Sequence, residues 1–178
     1  MRPPIRAFIA IELNERIRRT LSLVQERLKT ADADVKWSDP GHIHLTLKFL
    51  GDIQPEILDD VEEAMARTAV QFAVFHMDIG ILGAFPKITE PAIVWAGLTK
   101  RANHLMDMAE KLEEELQAFG IKPEDRGFMP HITLGRNRTA TTSKPLAELL
   151  QSTHIPSGLS QKVERIALFR SELLPKGP

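Results

Sequence analysis

The sequence predicts an α+β fold, and three observations lead to that prediction. Segments that alternate every second residue, as strands do, are interspersed with segments of helical spacing. No glycine-rich phosphate loop follows the first strand-like segment, which argues against a Rossmann arrangement and favours a mostly antiparallel sheet. A short motif, His-x-Thr followed by leucine, occurs twice and indicates a duplicated half, and therefore two lobes.

Length and composition indicate one compact unit, which we interpret as a single bilobal domain over residues 1–178. The net charge is −1, so a nucleic-acid substrate would have to be bound locally, at an end or a loop. There are no cysteines, which excludes disulfides, thiolate metal sites and cysteine nucleophiles. The apolar run at the N-terminus is too short for a signal peptide, and no stretch approaches membrane-spanning length. We therefore expect a cytoplasmic protein with no membrane partner.

The first half of the chain alternates strand and helix signals. Residues 6–13 alternate and predict a strand. Asn14 predicts the N-terminus of a helix, because its side chain can cap the first turn. Turn residues at 38–41 follow a short extended segment, and residues 42–49 predict a second strand. Pro55 predicts the start of a second helix.

The second half repeats this alternation. Residues 72–82 and 92–98 are strand-like, and the segment between them, 83–91, is rich in turn residues. A helix with periodic apolar residues then ends near Gly120. Residues 131–136 predict another strand. The last predicted elements are a short helix near 144–151 and a strand over 163–173.

The repeated motif is HLTL at residues 44–47 and HITL at residues 131–134. In a strand, alternate side chains share a face, so each copy presents one imidazole and one hydroxyl together. Chance alone would make two such triplets only mildly surprising. Both copies, however, lie in alternating segments and follow a strand–helix pair, which predicts two equivalent strands facing one cleft.

The side chains of these motifs suit the displacement of a phosphodiester. An in-line displacement needs a base that activates the nucleophile and an acid on the opposite side that protonates the leaving oxygen. His44 and His131 suit both roles, since an unperturbed imidazole has a pKa of about 6.5. The hydroxyls of Thr46 and Thr133 can donate to the non-bridging oxygens. The scheme requires no metal or other cofactor, and spacing alone leaves open which histidine is the acid.

The chain resembles the 2H phosphoesterases, and more narrowly their RNA 2′,3′-cyclic phosphodiesterase branch, historically called 2′-5′ RNA ligase. The matching segments, in the family's order, are RAFIAIEL, VKWSDPGHIHLTLKFLGD, GAFPKITEPAIVWAGL and RGFMPHITLGR. The resemblance implies a bilobal fold, with two pseudo-symmetric lobes of mostly antiparallel sheet and outer helices around a central cleft. It also implies hydrolysis of RNA 2′,3′-cyclic phosphate ends to 2′-phosphates, with reversible 2′-5′ ligation. In that scheme His44 is the proton donor and His131 the proton acceptor.

Other residues near the motifs are candidates for substrate binding. Arg126 and Arg136 flank the second motif and match arginines of the family pattern, so we group them with the two threonines as substrate-binding candidates; a surface ion pair is the alternative for each. Phe49 and Trp37 could stack on a base. Core packing is nevertheless the role we expect for both.

Three alternatives stay open. A phosphodiesterase of a small cyclic or 2′-5′ linked nucleotide would use the same residues. A non-catalytic module that binds RNA ends would not need two opposed acid–base groups. A metal site would need His42 and His44 with His131 as third ligand, although we expect His42 at the cleft rim or in solvent. A monomer is the expected oligomeric state.

Overall fold

The computed structural model describes residues 2–124, 127–138 and 143–171. Strands and helices alternate along these residues as the sequence predicts. In chain order the elements are β1 (Ile5–Glu12), α1 (Glu15–Lys29), β2 (Val35–Trp37), β3 (His44–Ile53), a 3-10 turn (Pro55–Ile57), α2 (Leu58–Ala69), β4 (Phe75–Lys87), β5 (Glu90–Lys100), α3 (Ala102–Gln117), β6 (His131–Asn137), α4 (Lys144–Ser152), β7 (Leu159–Val163) and β8 (Ala167–Arg170).

The strands form one curled sheet in the order β7-β4-β5-β6-β3-β1-β8, and β2 pairs with β6 beside this path. Every strand pair within the described residues is antiparallel. The two central strands, β3 and β6, share a single register pair, whereas their outer neighbours share long ladders. The sheet therefore divides there into two lobes. We call β3, β1 and β8 the first lobe, and β6, β5, β4 and β7 the second lobe.

The helices connect the lobes by crossing between them. Helix α1 follows a strand of the first lobe but packs on α4 and β7 of the second. Helix α3 follows a strand of the second lobe but packs on β3 and α2 of the first. Because each long helix buries its apolar stripe on the other lobe, the two halves share one hydrophobic cluster. The packing of α1 and α3 on opposite lobes fixes β3 and β6 relative to each other.

Local sequence signals gave most of the element boundaries correctly. Asn14 caps α1 as predicted, since its side chain accepts a hydrogen bond from the Ile17 amide at 2.9 Å. The strand predicted from residue 42 begins instead at His44, because the preceding residues form a turn in which the His42 amide donates to the Asp39 carbonyl at 2.9 Å.

Two predicted segments differ from the structure. The segment 83–91 is almost entirely strand, because β4 and β5 form a long hairpin whose tip is Ile88–Thr89. Gly83 belongs inside this hairpin, since a Cβ there would lie 2.3 Å from the ring of Trp95 on β5. The single strand predicted over 163–173 is also wrong. Only its residues 167–170 form a strand, β8, at one end of the sheet; Val163 ends β7, an unpredicted strand at the opposite end, and residues 172–173 lie outside the described residues.

Within the described ranges, no helix is long and apolar enough to cross a membrane.

Candidate active site

The two motifs lie side by side where the lobes meet. Residues 44–47 begin β3 and residues 131–134 begin β6. The register pair between these strands joins Leu45 to Ile132, and both side chains are fully buried. Because alternate residues face opposite sides of a strand, the histidine and threonine of each motif lie on the other face, where all four are half-buried. That face forms the floor of the cleft.

The same register arranges the four polar side chains as a square. Continuing it by one residue places His44 opposite Thr133 and Thr46 opposite His131. The two histidines are then diagonal neighbours, which in an antiparallel pair corresponds to a Cα separation of roughly 7–8 Å. A phosphate group between them has an imidazole on two sides and a hydroxyl at each remaining corner. The structure therefore brings together all four residues that the motifs predicted.

Both imidazoles are oriented by the same kind of bond. The Nδ1 atom of His44 lies 2.7 Å from the His42 carbonyl oxygen, and the Nδ1 atom of His131 lies 2.7 Å from the Met129 carbonyl oxygen. A carbonyl oxygen only accepts hydrogen bonds, so Nδ1 carries a proton in both rings. Nε2 is therefore the nitrogen that exchanges a proton with a substrate in each case.

Aromatic rings surround both imidazoles. The ring of His44 is stacked on Phe8 with centroids 4.6 Å apart, and the Phe169 ring lies against both, 5.2 Å from Phe8 and 6.1 Å from His44. The ring of His131 meets the edge of Phe85 at 5.1 Å. Burial lowers the pKa of His44 below its ordinary value of 6.5; the hydrogen bond to the His42 carbonyl opposes this shift, and the nearby His42 ring adds to it.

A β-bulge follows the first motif and changes which side chains face the cleft. The register with β1 passes from Thr46 to Lys48, so Leu47 is an extra residue. The alternation is thereby inverted: Lys48 is buried, and Phe49 is 55% exposed with its ring 6.1 Å from that of Phe8. The prediction that Phe49 packs in the core is therefore wrong, and its ring lies on the cleft face.

A matching bulge follows the second motif. The register with β5 passes from Thr133 to Gly135, so Leu134 is the extra residue. Arg136 consequently shares the face of Thr133, is exposed, and has no ion-pair partner among the described residues. Arg136 thus occupies in the second lobe the position that Phe49 has in the first, three residues beyond the threonine. Arg126 lies outside the described residues. Trp37 is half-buried and packs against the core, as predicted.

A buried lysine that the sequence pattern did not reveal, Lys48, supports the first bulge. The Lys48 ammonium donates to the Glu113 carboxylate of α3 at 2.7 Å and to the Lys122 carbonyl at 3.0 Å. The carboxylate of Glu124, in the segment after Lys122, accepts from the Phe49 amide at 3.3 Å. No local pattern signals this role, because Lys48 continues the polar alternation of His44 and Thr46.

A buried glutamine supports the second bulge in a comparable way. The side-chain amide of Gln25 on α1 donates to the carbonyl of the extra residue, Leu134, and to the Ser38 carbonyl, both at 2.8 Å. Gln25 is 1% exposed. Each crossing helix therefore brings a polar side chain to the bulge of the opposite lobe. The only sequence signal for Gln25 was an amide next to the apolar stripe of its helix.

His42 does not join the motif residues. It lies in the turn before β3, its side chain is 86% exposed, and its Nδ1 atom is 3.5 Å from a carboxylate oxygen of Asp39. Only its carbonyl contributes to the site, through His44. The described ranges contain no group of three or more histidine, aspartate or glutamate side chains placed to share a metal ion.

Comparisons with known proteins agree with this geometry. The LigT-like phosphoesterase family model matches the chain twice, over residues 11–95 and 98–178, and each match contains one motif. A Methanothermobacter thermautotrophicus protein named RNA 2′,3′-cyclic phosphodiesterase is 35% identical over 98% of this chain and 94% of its own length. A protein of the same name from Thermus thermophilus is 33% identical over 98% of this chain and 85% of its own length.

Solved structures show the same fold. A crystal structure of a Thermus thermophilus protein aligns with a TM-score of 0.79 and 32% identity, over 98% of this chain and 92% of the other. The crystal structure of Escherichia coli LigT complexed with 3′-AMP aligns with a TM-score of 0.73 and 25% identity, over 96% and 90% of the two chains. A bilobal sheet with paired His-x-Thr motifs defines the class of two-histidine phosphoesterases. Within that class, this chain belongs to the LigT-like phosphoesterase family.

Proposed function

We propose that this protein hydrolyses the 2′,3′-cyclic phosphate at RNA 3′ ends to a 2′-phosphomonoester by two-histidine acid–base catalysis. One observation supports this proposal most strongly. The two imidazoles lie diagonally across one cleft, and each is held with Nδ1 protonated and Nε2 free for substrate. The relatives named RNA 2′,3′-cyclic phosphodiesterase support the choice of substrate. Every proton transfer is assigned to a histidine, so the scheme uses no metal and no cofactor.

The reaction moves one proton across the phosphate. His131 Nε2 takes a proton from water as the water oxygen attacks phosphorus. The bond from phosphorus to O3′ breaks on the opposite side, and His44 Nε2 gives its proton to the departing O3′. The products are a 2′-phosphate and a 3′-hydroxyl, and exchange with solvent returns both histidines to their starting protonation states.

The remaining polar residues stabilise the charge on the phosphate. The hydroxyls of Thr46 and Thr133 have no hydrogen-bond partner among the described residues, so both are available to the non-bridging oxygens. The Arg136 guanidinium, on the same face, supplies a positive charge in a geometry that suits phosphate oxygens. We also retain Arg126 as a candidate phosphate ligand from the sequence pattern.

The proton donor determines where the nucleoside lies. Because His44 must reach O3′, the ribose sits over the first lobe, where Phe49 and Phe8 present aromatic surface to the cleft. We propose that the terminal base stacks on Phe49, a contact that tolerates any base because every base has a π face. Water enters from the side of His131. An RNA 5′-hydroxyl in place of that water would attack the same phosphorus, with the same departure of O3′, and join two strands 2′-5′.

A substrate assay tests this function directly. A short RNA ending in a 2′,3′-cyclic phosphate is incubated with the protein in EDTA, and the product phosphate is located by NMR. We expect a 2′-phosphate, with loss of turnover in His44→Ala and in His131→Ala. A 3′-phosphate would mean that the other oxygen leaves, and turnover that EDTA abolishes would contradict the metal-independent scheme.

Two further candidates differ in substrate or class. The bound 3′-AMP of Escherichia coli LigT favours, as second candidate, a phosphodiesterase of small cyclic or 2′-5′ linked nucleotides. A non-catalytic RNA-end binding module would bind the cyclic RNA without turning it over, and His131→Ala would leave that behaviour unaltered. We also propose that the protein is cytoplasmic and monomeric. Sedimentation of the purified chain tests the monomeric state.

A further inference from the structure

The cleft floor continues beyond the second motif as a group of cations. Lys36 of β2 lies directly opposite Arg136 of β6 in the strand register. One step further along, the Arg138 amide donates to the Asp34 carbonyl at 2.9 Å, which places Arg138 opposite Asp34. We call Lys36, Arg136 and Arg138 the basic strip.

The register assigns the strip to the cleft face. Opposite residues of an antiparallel pair share a face, so Lys36 lies on the face of Arg136, which is also that of Thr133. The neighbours of Lys36 confirm this orientation. Val35 and Trp37 lie on the buried side, since a Cβ on Gly135 would be 2.7 Å from Val35 and 2.9 Å from Trp37.

The strip carries three cationic side chains. Asp34 is the carboxylate opposite Arg138, and their ion pair is long, 3.9 Å, with side chains 52% and 63% exposed. A phosphate bound between Lys36 and Arg136 can accept hydrogen bonds from both side chains. The corresponding position of the first lobe carries the aromatic ring of Phe49 instead, so the two arms of the cleft differ in chemistry.

The position of the strip suits an extended RNA strand. A strand advances about 3.3 Å per residue and Leu134 is an extra residue, so Arg136 and Arg138 lie two and four register steps, roughly 7 and 13 Å, beyond Thr133. These lengths correspond to one or two nucleotides of extended single strand. Proteins that bind single strands combine such a positive surface along the backbone with aromatic surfaces for the bases.

We propose that the basic strip binds backbone phosphates of the RNA next to its reacting end, so that an oligonucleotide is a better substrate than a cyclic mononucleotide. This inference rests on the proposed cyclic phosphodiesterase function and adds Lys36 and Arg138 to the binding surface. It predicts a dependence of catalytic efficiency on RNA length.

The test compares kcat/KM for a cyclic mononucleotide with kcat/KM for RNAs of two, three and five nucleotides that end in a 2′,3′-cyclic phosphate. For the wild type, we expect kcat/KM to rise at least tenfold from one to three nucleotides and then to level off. Lys36→Ala and Arg138→Ala should each reduce the ratio of trinucleotide to mononucleotide efficiency by about fivefold. For the trinucleotide, the slope of log kcat/KM against log salt should become shallower by about 0.7 per contact removed.

Arg19→Ala is the matched control. It removes an equally charged side chain, 76% exposed on α1, whose partner is Glu15 one turn away. The control should keep the wild-type ratio of efficiencies. Equal efficiency on all lengths, or a ratio unaffected by both strip variants, would overturn the inference while cyclic phosphate turnover still supports the proposed function. Absence of turnover on every cyclic phosphate would overturn both.

Discussion

The buried ion pair of Lys48 and Glu113 allows a quantitative test of how the first bulge is supported. The Lys48 side chain is 2% exposed and that of Glu113 is 22% exposed, with 2.7 Å between ammonium and carboxylate. Lys48→Met keeps the length of the side chain but leaves the carboxylate without its cation. Removing one partner of a buried pair costs about 3–5 kcal/mol. Because Glu113 is partly solvated and also accepts from the Glu124 amide, we expect a loss of about 2–3 kcal/mol in unfolding free energy.

A double-mutant cycle separates the pair from general damage to the core. The double variant Lys48→Met with Glu113→Leu removes both charges, and such replacements are close to neutral, so stability should return to within about 1 kcal/mol of the wild type. Urea unfolding of the wild type, Lys48→Met, Glu113→Leu and the double variant gives the four unfolding free energies. Lys29→Met, at an exposed pair with Glu26, is the control and should change stability by less than about 0.5 kcal/mol. A loss below about 1 kcal/mol in Lys48→Met, or a double variant that loses the sum of both singles, would refute this reasoning.

Three further predictions follow from the site. Phe49→Ala should raise KM for a cyclic phosphate RNA about tenfold or more, because stacking on an aromatic ring contributes about 1–3 kcal/mol per base. Phe49→Trp keeps an aromatic ring and should leave KM near the wild-type value. An unaltered KM in Phe49→Ala would exclude stacking. Gln25→Met removes two buried hydrogen bonds, including that to the Leu134 carbonyl, so urea unfolding should show a loss of about 1–3 kcal/mol in unfolding free energy. The variant should also have a lower kcat/KM. An unchanged kcat/KM would show that the bulge does not depend on this amide. NMR titration of His44 should give a pKa below 6.5, because burial disfavours the charged ring. The stability that this residue contributes is then present above pH 6.5 and is lost as pH falls through the folded-state pKa. A pKa above 6.5 would contradict the burial of this ring.

Local patterns in the sequence predicted the parts of the fold that depend on neighbouring residues. The alternation of β1 and β3, the Asn14 cap and the helical spacing of α1 all act within a few residues of chain. The repeated motif predicted that two strands share a face, and the register of Leu45 with Ile132 places them side by side. The four motif residues therefore lie together as the sequence predicted, and their catalytic and binding roles stay predictions.

The rest depended on contacts between distant residues. A bulge exists only relative to its partner strand, so nothing within residues 44–53 showed that Leu47 would be extra and that Phe49 would face the cleft. The partners of Lys48 and Gln25 lie 65 and 109 residues away in the chain, beyond any local pattern. The hairpin through residues 83–91 was missed for a related reason: Gly83 is required by the Trp95 ring of the next strand, and not by a turn.

The pH dependence of kcat/KM tests the central claim of two-histidine catalysis most directly. It should be measured in EDTA with a cyclic phosphate RNA, for the wild type, His44→Ala and His131→Ala. The wild type should give a bell-shaped profile. In His131→Ala the remaining fall of kcat/KM with rising pH should have its midpoint below pH 6.5, because the donor His44 must be protonated and burial lowers its pKa. His44→Ala should lose the alkaline limb and His131→Ala the acid limb, each with a fall of about 10²–10⁴-fold at the optimum. Loss of the opposite limb in each variant would reverse the two roles, and a wild-type profile that is flat between pH 5 and 9 would contradict the mechanism.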